Sequence, residues 1–231
     1  DSDIFAAIAH LKAAGGKKFK ADQLRASRNF FAGTVCGSCR PREIAGGRDI
    51  LIVGPGEGTR EYAQYLEQHI RINKPYVIAL NAQPTIDDSL IDLKAACHPV
   101  RLYAEAEEHL RFRQPLLTPF SMLPDDLKEL LSEKEILDYG IEIASGEVQA
   151  RENHCRLPVA LMAGYAIAFS IAAGANTIQL AGFDGYRIDD PRYREMDELL
   201  AALAASQDAP ELFAITPSRY RVPARSVFLF L

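Results

Sequence analysis

Short apolar runs alternate with amphipathic stretches along most of the chain, from residue 49 to the last residue. Apolar runs of about four to eight residues are typical of buried strands, and apolar residues spaced three or four apart are typical of helices. The segments predicted as strands are DILIVGP, PYVIALN, PVRLYAE, PLLTPFS, ILDYGIEI, TIQLAGF and ELFAITP, with SVFLFL as a final strand or an exposed tail. The segments predicted as helices are residues 59–72, 87–95 and 105–112, DDLKELLS, and residues 158–173 and 192–205.

This alternation predicts an α/β fold, a three-layer Rossmann-like domain with a mostly parallel sheet and helices on both faces. The strands of such a sheet are buried on both sides, which agrees with their continuous apolar sequences. We assign residues 48–231 to this domain. Residues 1–47 are predicted to be an N-terminal helical segment, with helices at 3–14 and 20–32, followed by a Gly- and Pro-rich linker. Ligands of open parallel sheets bind at the carboxyl ends of the strands, near the point where the strand order reverses.

The charge balance narrows the expected partners. The 231-residue chain has a net charge of −5, which argues against a nucleic-acid binder that depends on a general basic field. No apolar run approaches the roughly 20 residues that span a bilayer, so we expect no membrane span and a cytoplasmic location. The first residues, DSDIFAAIAH, contain neither an initiator Met nor a signal-peptide pattern, which suggests a piece of a longer protein.

Four cysteines raise the question of a metal. Cys36 and Cys39 form a CxxC pair, and Cys97-His98 and His154-Cys155 could complete a zinc site. No second CxxC is present, and this one lies in a Gly- and Pro-rich stretch rather than at the start of a helix. Reduced thiols are therefore the favoured interpretation, and the sequence requires no metal.

A glycine-rich loop follows the first predicted strand. Gly54, Gly56, Gly58 and Thr59 stand where backbone amides and a helix N-terminus could hold a phosphate. The GxGxG spacing is neither the dinucleotide fingerprint nor the P-loop, and Glu57 would repel a phosphate at short range. The alternative is a strand-to-helix turn whose glycines need a positive φ. The loop alone does not decide between the two.

Other polar residues follow other predicted strands. Asn81 and Gln83 could read a base or a sugar edge, although Asn81 could equally be a helix cap or a turn residue. Asp184, Tyr186 and Ser218 are predicted to line the acceptor side of a site, with loop capping as the alternative for Asp184.

One histidine is a candidate for acid–base chemistry. His98 is the only base candidate that the sequence offers, and a structural histidine is the favoured alternative because no partner is visible. Asp189, Asp190 and Arg192 are expected to cap the helix that begins near Arg192 rather than to bind a metal.

The segment LPVALMAGYAIAFSIAAGANTIQLAGFDGY resembles the helix–strand segment of bacterial sialyltransferase-like proteins, which closes in a G-[IFL]-D-x-Y pattern. The resemblance implies that Gly54 and Gly56 match the glycines of a loop that holds nucleotide phosphates. It also implies that Asn81 matches an asparagine that binds the nucleotide. Sialyltransferases of this type use a histidine after that strand as their base, whereas this chain has no histidine after His154.

A second resemblance covers nearly the whole chain. GRDILIVGPGEG, LAGFDGYRIDDPRYREMDELL and ITPSRY are similar to the C-terminal domain of bacterial two-domain proteins of surface-polysaccharide pathways. Their N-terminal half is an aldolase barrel of the hydroxymethylglutaryl-CoA lyase type. This implies an aldolase domain as partner, with any lyase activity residing in that other half. The resulting hypothesis is a glycosyltransferase-like domain that binds a nucleotide or nucleotide-sugar, and the alternative is a non-catalytic docking or regulatory module of an aldolase.

Overall fold

A computed structural model describes residues 30–80 and 86–231. The helices predicted at 3–14 and over most of 20–32, and the residues Asn81 and Gln83, lie outside these ranges. The strands of the described part are β1 (Ile50–Val53), β2 (Tyr76–Leu80), β3 (Leu93–Ala95), β4 (Leu116–Thr118), β5 (Ile136–Asp138), β6 (Gly140–Ile143), β7 (Gln149–Ala150), β8 (His154–Leu157), β9 (Thr177–Ala181) and β10 (Glu211–Ala214). Its α-helices are α1 (Pro41–Ala45), α2 (Glu57–Glu61), α3 (Ala63–Asn73), α4 (Pro99–Arg111), α5 (Asp125–Leu130), α6 (Met162–Ala173) and α7 (Pro191–Ala204).

Seven strands form one parallel sheet in the order β10-β9-β1-β2-β3-β4-β5. The predicted α/β, Rossmann-like fold is therefore confirmed. From β1 the chain builds outward through β2 to β5, and it then returns to place β9 on the other side of β1. The strand order thus reverses between β1 and β9, which puts a crevice at the carboxyl ends of these two strands.

The sheet is buried on both faces. Ile50 and Ile52 of β1 belong to the core on the side of α6, whereas Leu51 and Val53 belong to the core on the side of α3. Helix α6 (MAGYAIAFSIAA) is apolar around its whole circumference, which is the pattern of a helix packed on all sides. Its position is fixed closely, because a Cβ on Gly164 would lie 2.6 Å from Leu199 Cδ2 of α7.

A second, three-stranded sheet with the order β6-β8-β7 lies beside the main one. The run ILDYGIEI, predicted as one strand, divides at Tyr139 into β5 of the main sheet and β6 of the small sheet. Tyr139 is buried, donates its hydroxyl to Arg151 O at 2.9 Å and packs edge-on against Phe169. Strands β7 and β8 were not predicted, because the sequence around RENHC is too polar to form an apolar run.

Three further predictions are wrong. DDSLIDLKA is not a helix but a 3₁₀ turn (Asp88–Leu90) followed by β3, and PVRLYAE is not a strand but the start of α4. Pro99 stands in the first helical turn and His98 caps the helix, which are helix-start signals that the alternating pattern concealed. The C-terminal SVFLFL is a 3₁₀ helix (Val227–Phe230) rather than a strand or tail. Within the described ranges, no helix is both long and apolar enough to cross a membrane.

Candidate functional site

A cleft of about 290 Å³ opens at the carboxyl ends of the central strands. It lies where the strand order reverses, between the loops that follow β1 and β9, and it extends across the ends of β2 and β3 to the start of α6. The described residues that line it are Gly54, Pro55, Gly56, Leu80, Cys97, His98, Arg101, Ala160, Leu161, Met162, Ala163, Gly182, Phe183, Asp184, Gly185, Tyr186, Met196 and Tyr220.

Hydrogen bonds join the loop after β1 to the loop after β9 across the floor of the cleft. Gly56 N–H donates to Gly182 O at 3.0 Å, and Gly58 N–H donates to both carboxylate oxygens of Asp184 at 3.1 and 3.0 Å. Thr59 is fully buried, and its hydroxyl donates to Gly54 O at 2.8 Å. The Asp184 carboxylate therefore occupies the N-terminal end of α2, where the sequence suggested a phosphate.

Close packing explains the glycines of the first loop. None of Gly54, Gly56 and Gly58 has a positive φ. A Cβ on Gly56 would lie 2.4 Å from Gly182 O, and one on Gly58 would lie 2.5 Å from an Asp184 oxygen. Of the two loops, it is the one after β9 that has glycines with positive φ, Gly182 (φ 71°) and Gly185 (φ 89°). The GxGxG spacing thus allows the loop after β1 to approach the loop after β9.

The amides of the first loop are mostly engaged. The N–H groups of Gly54, Gly56, Gly58 and Thr59 all donate to protein acceptors. The Glu57 N–H has no acceptor among the described residues, and Glu57 itself is exposed. Apart from Glu57, the backbone amides of this loop are therefore already engaged by the protein.

The loop after β9 is held from behind by the segment that follows β10. Ser218 Oγ donates to Phe183 O at 2.6 Å, and Arg219 N–H donates to Asp184 O at 3.0 Å. Tyr186 is more than one-third exposed at the cleft rim, where the Arg192 guanidinium lies 4.2 Å from its ring centroid. This segment supports the side of the cleft that carries Asp184 and Tyr186. Ser218 itself is not one of the residues that line the cleft.

His98 is at the opposite wall, at the N-terminus of α4. Its Nδ1 accepts a hydrogen bond from Val100 N–H at 3.3 Å, and its ring lies against Phe31. The residue is only 7% exposed. Burial, with the nearby charge of Arg101, lowers the pKa of His98 to about 4.

Arg101 is a cleft residue that the sequence analysis missed. It lies one turn after His98 on α4, so its side chain is on the same side of the helix. Its guanidinium is 3.9 Å from Glu105 Oε1, at the limit of an ion pair. Since PVRLYAE was predicted as a strand, the i, i+3 relation that points to Arg101 was not visible.

The structure brings five of the predicted site residues together. Those that line the cleft are Gly54, Gly56, His98, Asp184 and Tyr186. Gly58, Thr59 and Ser218 hold its loops from behind, and Asn81 and Gln83 lie outside the described residues. The ligand contacts assigned to all ten stay predictions. The predicted helix cap is confirmed, because Asp190 accepts a hydrogen bond from Arg192 N–H at the start of α7.

The cysteines are separate thiols. Cys97 and Cys155 are buried, and Cys36 and Cys39 are partly exposed. Burial, with the nearby charge of Asp138, raises the pKa of Cys39 to about 12, so it is a protonated thiol at neutral pH. Residues 30–80 and 86–231 contain no group of three or more His, Cys, Asp or Glu side chains arranged to hold a metal.

Comparison with known proteins supports the fold. No protein-family model and no curated protein matches the sequence. Among solved structures, the chain is similar to the MAf glycosyltransferase from Magnetospirillum magneticum AMB-1, with a TM-score of 0.59 and 13% sequence identity. The match covers 92% of this chain and 39% of that one, so the chain spans about two fifths of the length of that glycosyltransferase. At this identity the likeness shows a shared fold.

Proposed function

We propose that this chain is a glycosyltransferase-like domain that binds a nucleotide or nucleotide-sugar in the cytoplasm, in surface-carbohydrate biosynthesis. The observation that carries the proposal is the cleft between the loops after β1 and β9, at the reversal of strand order. Open α/β sheets bind nucleotides at this position. The fold likeness to a solved glycosyltransferase supports the same class of ligand.

The cleft has walls of different chemistry, which suits a ligand with a hydroxyl-bearing end and an anionic end. The loop wall offers the Asp184 carboxylate and backbone carbonyls, which accept hydrogen bonds from sugar or ribose hydroxyls. The α4 wall carries Arg101 and His98. The amides of Gly54, Gly56 and Gly58 already donate to protein atoms, so we place the phosphate of the ligand away from them. Glu57 N–H is the donor of that loop that has no acceptor among the described residues.

A thermal-shift screen tests the proposal. The ligands are CMP, CDP, UDP, GDP, ADP and CMP-sialic acid. Ala160 lines the cleft, so Ala160→Phe should fill it, and Ala201→Phe on the exposed side of α7 is the matched control. A ligand at about 100 times its Kd adds roughly 2.7 kcal/mol, which raises Tm by about 5–11 °C for a domain of this size. We expect the shift in the wild type and in Ala201→Phe, and its loss in Ala160→Phe.

A second function is favoured by one specific observation. The amides of Gly54, Gly56, Gly58 and Thr59 are filled by protein acceptors, as expected if the loop is purely structural. The chain would then be a non-catalytic docking or regulatory module for an aldolase domain of the same protein. The absence of a shift with every nucleotide, in a wild type that melts cooperatively, would favour this function over the first.

A further inference from the structure

His98 lines the cleft, and one of its two ring nitrogens is hydrogen-bonded to the protein. Nδ1 accepts from Val100 N–H, so Nδ1 carries no proton. Nε2 has no hydrogen-bond partner among the described residues, although the side chain is more than nine-tenths buried. Both ring nitrogens of His109 also lack a hydrogen-bond partner within the described ranges, but they are sealed from solvent, whereas His98 lines the cleft. A buried donor that is left open toward a cleft is a group that a ligand can satisfy.

The proton on His98 follows from this geometry. A neutral imidazole carries one proton, and with Nδ1 accepting from the backbone this proton is on Nε2. The charged form would need a second proton on Nδ1, which would point at the Val100 N–H. The Nε2–H is therefore the hydrogen-bonding group that the ring has left for a ligand, and neither ring nitrogen has a free lone pair to act as a base.

Arg101 provides a full positive charge on the same wall. It lines the cleft, its side chain is 30% exposed, and its contact with Glu105 is long, at 3.9 Å. Asp184 is the acidic residue of the described cleft lining, and both of its oxygens accept from Gly58 N–H on the other wall. An anionic group that enters the cleft is therefore drawn toward α4 and away from the loop wall.

We propose that His98 and Arg101 form an anion subsite, in which a phosphate or carboxylate oxygen of the ligand accepts a hydrogen bond from His98 Nε2–H and faces the Arg101 guanidinium. This proposal deepens the proposed function and rests on it. His98 is thereby a positioning residue that binds the ligand and does not take the proton of an acceptor. The subsite also fixes the direction of the ligand, with its anionic end at α4 and its hydroxyls at Asp184.

Imidazole nitrogen NMR on the full chain tests the proposal directly. Protein labelled with ¹⁵N-histidine is titrated with inorganic phosphate, and separately with acetate to represent a carboxylate source. We expect His98 to have its proton on Nε2 and to stay neutral from pH 7.5 to pH 5, with an Nε2 resonance that moves on addition of the bound anion. Loss of the charge in Arg101→Gln should weaken phosphate binding by about tenfold or more, as expected for a charge-assisted contact. Arg113→Gln, an exposed arginine just beyond α4, should leave it unchanged.

A second variant separates binding from the capping role of His98. Asparagine is a good N-cap, so His98→Asn should keep the Val100 N–H satisfied and the melting temperature close to wild type. Its amide N–H ends short of the position of His98 Nε2, so the donor that the ligand would meet is removed from that position. We expect it to fold normally and to bind phosphate at least fivefold more weakly. A proton on Nδ1, a His98 that titrates near pH 6.5, or phosphate binding that both variants leave intact would overturn the subsite. If nucleotides still bind in the cleft under that result, the proposed function stands; if they do not bind even to the wild type, that function fails as well.

Discussion

The substitution Gly56→Ala tests whether the glycines of the first loop serve loop packing. The new Cβ would lie 2.4 Å from Gly182 O and 2.7 Å from an Asp184 oxygen, distances that real Cβ atoms do not show. Gly182 cannot retreat freely, because its N–H donates to Thr216 Oγ1 and its carbonyl accepts from Gly56 N–H. The loops must therefore separate, and the hydrogen bond between them must lengthen or break.

The cost can be estimated from these contacts. Overpacking typically costs about 1–3 kcal/mol, and the loss of one intramolecular hydrogen bond costs about 1 kcal/mol. The Gly-to-Ala change itself stabilises the folded protein by about 0.4–1 kcal/mol, because alanine restricts the conformations of the unfolded chain more than glycine does. The net loss is about 1–3.6 kcal/mol, which lowers the Tm of a domain of this size by about 2–14 °C.

The assay is thermal and urea unfolding of the unliganded protein. Gly33→Ala is the matched control, because in the described part of the chain its new Cβ would meet only Phe30 O at 3.5 Å, an ordinary contact. We expect Gly33→Ala to melt at or slightly above the wild-type temperature and Gly56→Ala to melt clearly below it. Equal stability of the two variants, with nucleotide binding lost only in Gly56→Ala, would refute the packing argument and make the loop a phosphate cradle.

Three further predictions concern buried polar groups and are measured by urea unfolding. Burial, with the charges of Lys134 and Lys94, lowers the pKa of His109 to about 4. As the pH falls below about 6.5, the unfolded state therefore takes up the proton before the folded state does, and the unfolding free energy should drop by about 2–3 kcal/mol between pH 7 and pH 4.5. The variant His109→Leu should reduce this drop. Thr59→Val should cost about 1–3 kcal/mol, because it leaves the carbonyl that Thr59 now satisfies without its buried donor. Lys94 is buried, and its Nζ lies 2.9 Å from Asp88 Oδ1. Asp88→Ala should lower the unfolding free energy by about 1–3 kcal/mol and Lys94→Met clearly less, because only Asp88→Ala leaves a buried charge unpaired. A larger loss of stability in Lys94→Met would contradict this account.

The sheet could be predicted from the sequence where its strands are mostly apolar. Strands β1, β2, β9 and β10 coincide with apolar runs, because parallel strands buried on both faces admit few polar residues. Strand β3 was not predicted as a strand, because its central residue is the charged Lys94, whose burial depends on Asp88 and on the Phe112 ring. A polar residue that is satisfied by distant partners gives no local signal of a strand.

The position of the candidate site was also predictable, whereas the roles of its residues were not. Any parallel sheet collects the residues after its strands at one edge, so Gly54, His98 and Asp184 could be expected to lie near one another. The role of a glycine depends on what stands opposite it. Gly58 faces a carboxylate 126 residues later in the chain, a contact that no local pattern encodes.

The same reasoning explains why a glycine-rich loop is weak support for phosphate binding by itself. Close approach of a backbone segment requires glycine whether the approaching group is a phosphate or another loop. Here Asp184 provides the negative charge at the amide of Gly58, so the protein itself satisfies the electrostatic preference of that helix start. A ligand phosphate at this point would have to displace a carboxylate tied to a neighbouring strand. The positively charged wall at Arg101, which the loop pattern does not reveal, is therefore the better place in this cleft for an anion.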